Sequence, residues 1–377
     1  MFAGLLLIGV LVSVACADYL RRRKYIPKGL KSPPGPRGKP LVGSFFELQK
    51  ILAPSYMYKW KETYGDIVSI NVFGTPIIFI YSDKIAQELF EKRGALYSDR
   101  PQFHMAWLLG WDYSFVIMGY GDWWRRHIRA FQQSFNSRAV SSFEPVKLKA
   151  RCGLLRNLLK KPEDFVEHIR FSTGQVIMDV VYAIDIKPEN DPYINRIHAA
   201  LEGASYVILP GLWLVDTFPI FKHVPDWLPL PFKKTIKKYK TVTEEAAEIP
   251  FNVVKSRGSP DYSFVSTSLD RLRRGKDLLP NDEAVIRNAA ATAYGAGATT
   301  SLTALLQAIV ASILHPEAQE KVHEELDRVL GDRLPTLADR KELPYVNAFL
   351  SEVLRWRPAA PLGVAHSVLE DDANLAG

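Results

Sequence analysis

The sequence predicts a mainly α-helical body with one small β-sheet near its start, carried on an apolar N-terminal transmembrane helix. Three observations predict it. Helical periodicity dominates from Ser82 onward and reaches its longest run between Asn281 and Leu314. Two short β-branched runs, Asp66–Val72 and Thr75–Tyr81, flank the turn pair Phe73-Gly74. Met1–Ala17 is almost wholly apolar and is followed by the basic run Arg21-Arg22-Arg23-Lys24.

A cleaved secretory signal places positive charge before its apolar run. Here the charge follows it, and the positive-inside rule then keeps the rest of the chain in the cytosol. A signal anchor over residues 1–20 is the expectation, with a cleaved signal as the competing reading. The run lies at the short end of the roughly 17–25 residues that span a bilayer. Residues 21–38 make a basic, Pro/Gly-rich linker that ends in Ser32-Pro-Pro-Gly-Pro-Arg-Gly38. Its prolines fix an extended backbone. Residues 39–377 form the body, with no internal linker or repeat.

Within the body, helices are expected over Pro54–Tyr64, Asp83–Arg93 (stopped by Gly94), Trp123–Phe135, Lys147–Leu159 and Phe171–Ile184. Leu209–Phe232 carries five prolines and many large apolar residues, which excludes a long regular helix. It reads either as a packed core loop or as a greasy lid over an apolar substrate site. Asn281 can cap the long helix, and Asp282 and Glu283 suit its positive end. His315-Pro316 ends it. Two glycines in its centre, Gly295 and Gly297, cost roughly 1 kcal/mol each relative to alanine and call for a reason. A flat ligand lying close to the backbone would supply one; so would close helix packing. Helices over Glu317–Leu330 and Pro344–Trp356 follow.

Composition narrows the function classes. Of 377 residues, 47% are apolar and 24% charged, so a large core is available. The net charge of +7 comes from scattered clusters at Arg21–Lys24, Lys233–Lys238 and Arg271–Lys276. The first cluster follows the apolar run directly, which fits an anionic membrane face and not nucleic acid. Only two cysteines occur, Cys16 and Cys152, so no disulfide framework organises the chain. No phosphate-binding loop, serine-nucleophile elbow or HExxH zinc motif is present.

Four features share an order and spacing: the apolar anchor with PPGPRG at 33–38, the Trp- and Arg-rich segment at 123–129, AGATTS at 296–301, and Glu352-Val-Leu-Arg355. Ser98-Asp-Arg-Pro101 precedes the second. In that combination the chain resembles a microsomal cytochrome P-450 of the fungal secondary-metabolism type, from Met1 to Gly377. The resemblance implies the cytochrome P-450 fold and haem b as cofactor. It also implies a membrane NADPH-dependent reductase as electron donor, an apolar small-molecule substrate, and a place on the endoplasmic reticulum membrane. Thr300 stands where the family keeps the alcohol that helps deliver protons to dioxygen. Thr299 replaces the usual acid before it, and a hydroxyl cannot hold charge near neutral pH. Ala296 and Gly297 would leave room over the iron. Trp124, with His127 or Arg129 as the cation, would meet the haem propionates, since Ile128 fills the usual arginine position. His366 resembles a further propionate contact. Glu352 and Arg355 lie one turn apart on one helix face. By composition they are a solvated pair; by resemblance they are a buried scaffold pair beneath the haem.

The substrate pocket is expected from Trp107, Trp111, Phe115, Trp213 and Tyr294, an aromatic set suited to a terpenoid, polyketide or fatty chain. The family's axial cysteine lies beyond its ExxR helix. Neither Cys16 nor Cys152 matches that position, so no metal ligand is assigned. The sequence therefore reads as a cytochrome P-450 that stops before its ligand loop. The alternative is a non-catalytic, haem-poor membrane-anchored remnant of such an enzyme.

Overall fold

A computed structural model describes residues 32–369, apart from 41, 51–53, 208–210, 226–227, 229, 259–260 and 276–281. Before residue 32 it describes Gly9, Val12, Ser13, Cys16 and Leu20, all helical and exposed. The expected anchor and the capping role of Asn281 thus fall largely or wholly outside the described residues. Among the described residues, the one helix long and apolar enough to cross a membrane by length and composition is the central one, Asp282–Leu314.

Strands β1 (Ile67–Val72) and β2 (Thr75–Ile80) pair antiparallel, with Ile67 opposite Ile80 and Val72 opposite Thr75. The two-residue turn has Phe73 at φ 49° and Gly74 at φ 85°, the left-handed pair that matches strand twist. Phe73 tolerates this because its ring packs on Phe45 and Phe218, at 5.3 and 5.7 Å between centroids. Asn71 Oδ1 accepts the Gly74 N–H at 2.8 Å and closes the turn. Val68, Ile70 and Val72 point inward by strand alternation and meet Leu48 and Trp60 in a small core. The proline-rich stretch is laid against this hairpin, because Ser69 N–H donates to Pro34 O at 2.8 Å.

The helices predicted at Pro54–Tyr64 and Pro344–Trp356 form with those bounds. Others form within a few residues: Asp122–Ser134, Glu144–Lys160, Asp282–Leu314 and Pro316–Leu330. The segment from Asp83 differs from expectation. It is α-helical to Gln87 and then a π-turn over Glu88–Lys92, and Gly94 starts a further short helix to Tyr97 where it was expected to end one. The helix expected from Phe171 begins at Phe165. Among its described residues, the stretch Leu209–Phe232 forms a short helix at Leu214–Thr217, a 3₁₀ turn at Pro219–His223 and the start of a longer helix at Pro231.

Three helices of ten residues or more were not read from the sequence: Pro192–Ser205, Pro231–Ser256 and Phe264–Arg273. Asp191 caps the first through the Tyr193 and Ile194 N–H groups. Pro250 interrupts the second without ending it. Its neighbours Ala246, Ala247, Phe251 and Val254 are buried, and this packing holds the helix across the missing donor.

The main core surrounds the first half of the central helix. Helices Phe165–Tyr182, Asp122–Ser134, Pro231–Ser256 and Phe264–Arg273 pack around it. Their contacts enclose Ile286, Ala289–Ala291, Ala293 and Tyr294 together with Met178, Val181, Tyr182 and Ile197.

Candidate functional site

The central helix changes character at its midpoint. From Val285 to Gly295 every residue but Arg287 is buried; Ala296, Thr300 and Ser301 are exposed. Ala296 and Thr300 stand one turn apart on the same face. Thr300 Oγ1 donates to Ala296 O at 2.7 Å, the back-bond that a mid-helix threonine makes to the preceding turn. The side chain beside that bond is a single methyl, so a flat group can approach the backbone closely along this face. The Thr299 hydroxyl oxygen is shielded from solvent and has no hydrogen-bond partner.

Gly297 serves a different purpose from the one expected. A Cβ there would lie 2.7 Å from Ile177 Cδ1 and 2.8 Å from Ile177 Cγ1. Gly297 therefore faces the helix Phe165–Tyr182, and its missing side chain lets the two helices approach. Gly295 likewise faces protein, near Trp111 and Ile197. Room on the open face comes from Ala296.

His127 does not fill the expected propionate role. Its side chain is fully buried, with 0% exposure. Nδ1–H donates to Trp123 O at 2.8 Å, and Nε2 accepts from Asn288 Nδ2 at 3.2 Å. Burial lowers its pKa, so the ring is neutral. Both nitrogens are committed to protein, which leaves none for a carboxylate. The ring instead joins the Trp-rich helix to the central helix, as does the largely buried pair Arg126–Asp282 at 2.6 Å. Trp124 is half-buried against Tyr120, at 5.2 Å between centroids, while Arg129 is exposed. No single face of that helix presents all three expected propionate contacts.

Glu352 and Arg355 form a bidentate pair, with both N–O distances at 2.6 Å. Arg355 holds the Glu352 carboxyl below its ordinary pKa. The expected burial is absent: the side chains are 60% and 72% exposed. Among the described residues nothing covers this pair, and Leu350 and Leu354, on another side of the same helix, are exposed too.

His366 is exposed and braces the chain's late segment, with Nδ1 2.7 Å from Tyr97 O and its ring 4.7 Å from Phe90. The neighbouring brace was not read from the sequence. Arg100 donates to the carbonyls of Val364 and Ala365 at 2.9 Å each. Asp99 O accepts Ser367 N–H, and its carboxylate accepts Tyr120 N–H at 2.7 Å. The Ser98–Pro101 segment thus ties residues 364–367 to the start of the Trp-rich helix.

The expected pocket residues divide. Trp111 and Tyr294 lie in the main core, and Phe115 and Trp213 pack against it. The Tyr294 hydroxyl donates to Tyr193 O at 2.7 Å, and Trp213 Nε1 donates to Tyr206 O at 2.7 Å. Trp107 is exposed, edge-on to His104. Close packing, not open space, surrounds Trp111 and Tyr294. Even so, Trp111 Nε1 and the hydroxyls of Tyr113 and Tyr182 are buried with no partner, so this aromatic cluster keeps polar capacity for a ligand or water.

Comparison with known proteins agrees with this architecture. The cytochrome P-450 family profile matches residues 33–376. A cytochrome P-450 monooxygenase of Coprinopsis cinerea is 36% identical over 92% of this chain and 67% of its own length. One from Postia placenta is 37% identical over 90% and 67%, and one from Aspergillus oryzae 37% over 94% and 68%. The chain belongs to the cytochrome P-450 family of haem b enzymes, and it spans about two thirds of the length of these relatives. The family's members draw electrons from redox partners and act on small molecules.

The residues of the open face suit that cofactor. Ala296 and Thr300 leave a shelf with a small apolar group and one hydroxyl, and the unpartnered Thr299 oxygen lies beside it.

Proposed function

We propose that this chain supplies the oxygen-binding wall of a haem-dependent monooxygenase that hydroxylates an apolar small molecule in fungal secondary metabolism. The observation that carries the reading is the open Ala296–Thr300 face, which begins where the enclosed first half of the central helix ends. The haem supplies the redox chemistry that splits dioxygen and transfers one oxygen atom to substrate. The chain's own residues do the rest. Ala296 admits the ring against the helix. The Thr300 hydroxyl, held to Ala296 O, has lone pairs that can accept a proton as it gives its own. Thr299 carries no acid, so water or another acid must feed the Thr300 relay. Phe115 and Trp213, partly buried against the main core, offer an apolar wall for substrate.

In protein extended to the length of its relatives and loaded with haem, Thr300→Ala is expected to retain cofactor. It should also divert a larger share of NADPH-derived electrons to peroxide. Thr299→Asp, which restores an acid, is expected to reduce that loss. Coupling unchanged by Thr300→Ala would remove the relay assignment.

The charge order at residues 1–24 supports a signal anchor in the endoplasmic reticulum membrane. The body then lies in the cytosol beside a membrane NADPH-dependent reductase. Protease added to sealed microsomes is expected to digest the body, and full protection would reverse that topology.

A further inference from the structure

The helix Pro344–Trp356 carries Glu352 and Arg355, yet its own first residues do little to fix where it starts. Leu343 stands at the N-cap and offers no side-chain acceptor, and Pro344 has no N–H. The N–H groups of Tyr345 and Val346 therefore need acceptors from elsewhere. Both acceptors belong to one side chain on a different helix, Pro316–Leu330. Glu325 Oε1 accepts the Tyr345 N–H at 3.1 Å, and Oε2 accepts the Val346 N–H at 2.9 Å. Glu325 is 7% exposed, while its neighbour Glu324 is open to solvent. A buried carboxylate is costly unless its oxygens are bonded. The positive end of a helix meets that need with N–H groups and a favourable dipole. Arg328 stands 3.7 Å from Oε1, but its side chain is 68% exposed, so this ion pair contributes little.

We propose that Glu325 is a positioning residue for the Glu352–Arg355 pair, holding the start of their helix at a fixed place on Pro316–Leu330. What the pair is for rests on the haem reading above; the cap itself does not. Tyr345 and Glu352 are two turns apart, about 10 Å along the axis. A tilt of about 10° at the capped end moves Glu352 by roughly 2 Å over that rise, whereas a working constellation is held to about 0.5 Å. Burial along the rest of the helix is thin: Val353 is its one buried residue, and Leu350 and Leu354 are exposed. Two bonds at the first turn therefore weigh heavily in setting the direction of the helix.

The test uses the full chain in lipid nanodiscs without haem. Cys16→Ser and Cys152→Ser remove the native thiols, and nitroxides are attached through Lys237→Cys and Ser351→Cys, both at exposed positions. Electron–electron double resonance then reports where the helix lies, and the chain with Glu325 intact is expected to give one narrow distance. Glu325→Gln keeps the size and one carbonyl oxygen but turns an amide donor toward the second N–H. The distance should shift or broaden by about 2 Å. Arg328→Ala removes only the exposed ion pair and should leave the distribution unchanged. Residue-resolved hydrogen exchange needs no substitution: the Tyr345 and Val346 amides should exchange at least about 10-fold more slowly than unbonded amides, the order of one bond to a charged acceptor. In Glu325→Gln that protection should be lost while the amides of Phe165–Tyr182 keep theirs; a role in global stability alone would lower both. An unchanged distance in folded Glu325→Gln, an equal shift in Arg328→Ala, or unprotected Tyr345 and Val346 amides in wild type would each overturn the proposal. Neither measurement uses haem, so failure here leaves the Thr300 experiment unaffected, and failure of that experiment leaves the cap unaffected.

Discussion

Gly297→Ala separates helix packing from cofactor contact at the centre of the long helix. Two effects oppose each other. Replacing a mid-helix glycine by alanine gains roughly 1 kcal/mol of helix propensity. Here the new methyl would stand 2.7 and 2.8 Å from the Ile177 Cδ1 and Cγ1 atoms, well inside contact distance. Overpacking of this kind costs about 1–3 kcal/mol. The net expectation is a loss of about 0–2 kcal/mol, from the difference of those two ranges. The decisive measurement is a double-mutant cycle by urea unfolding of the detergent-solubilised chain. Ile177→Ala removes both close atoms and leaves Cβ at 3.4 Å, an ordinary contact. In that background Gly297→Ala should stabilise by up to about 1 kcal/mol, because only the propensity gain remains. The sign reversal is the signature. If Gly297→Ala stabilised the otherwise unaltered chain by the full propensity increment, Gly297 would not face Ile177 and the packing argument would fail.

Two further expectations concern titration and ligation. Desolvation raises the Asp216 carboxyl from 3.8 to about 7 in the folded chain, against the pull of the His104 and Met105 N–H groups. The folded state therefore binds the extra proton between about pH 4 and pH 7, and this group's stabilising contribution is lost as pH rises through that window. Relative to wild type, Asp216→Asn should gain about 1–3 kcal/mol between pH 5 and pH 8, discounted for partial solvent access. A difference that does not vary with pH, measured by urea unfolding, would refute the burial argument. The chain mixed with haemin, reduced and exposed to carbon monoxide should not give the thiolate-type band. Cys152 sits on Glu144–Lys160, which packs on Phe165–Tyr182 and not on the open face of the central helix. A thiolate band abolished by Cys152→Ser would overturn that placement.

The sequence by itself determined the elements whose signals are local. The hairpin was legible because two β-branched runs flank Phe73-Gly74, a turn pair that can adopt left-handed φ. The long helix was legible because acids stand at its start and an unbroken run of small and apolar residues follows to His315-Pro316. The order of AGATTS and Glu352-Val-Leu-Arg355 was enough to recognise the family. Pro192–Ser205 and Pro231–Ser256 escaped because their helicity depends on burial against neighbours, and Pro250 is a local signal against it. Roles within the site were decided by the fold. Residue type made His127 a plausible cation, but only packing shows that Trp123 O and Asn288 consume both its nitrogens. Spacing put Gly297 beside Ala296 without telling which face met protein; a rotation of about 100° per residue sends one toward Ile177 and the other outward. Asp216 gave no signal at all, lying in a proline-rich stretch far from Met105 in sequence. Its partial burial and its one satisfied oxygen arise only when segments more than a hundred residues apart close on one another.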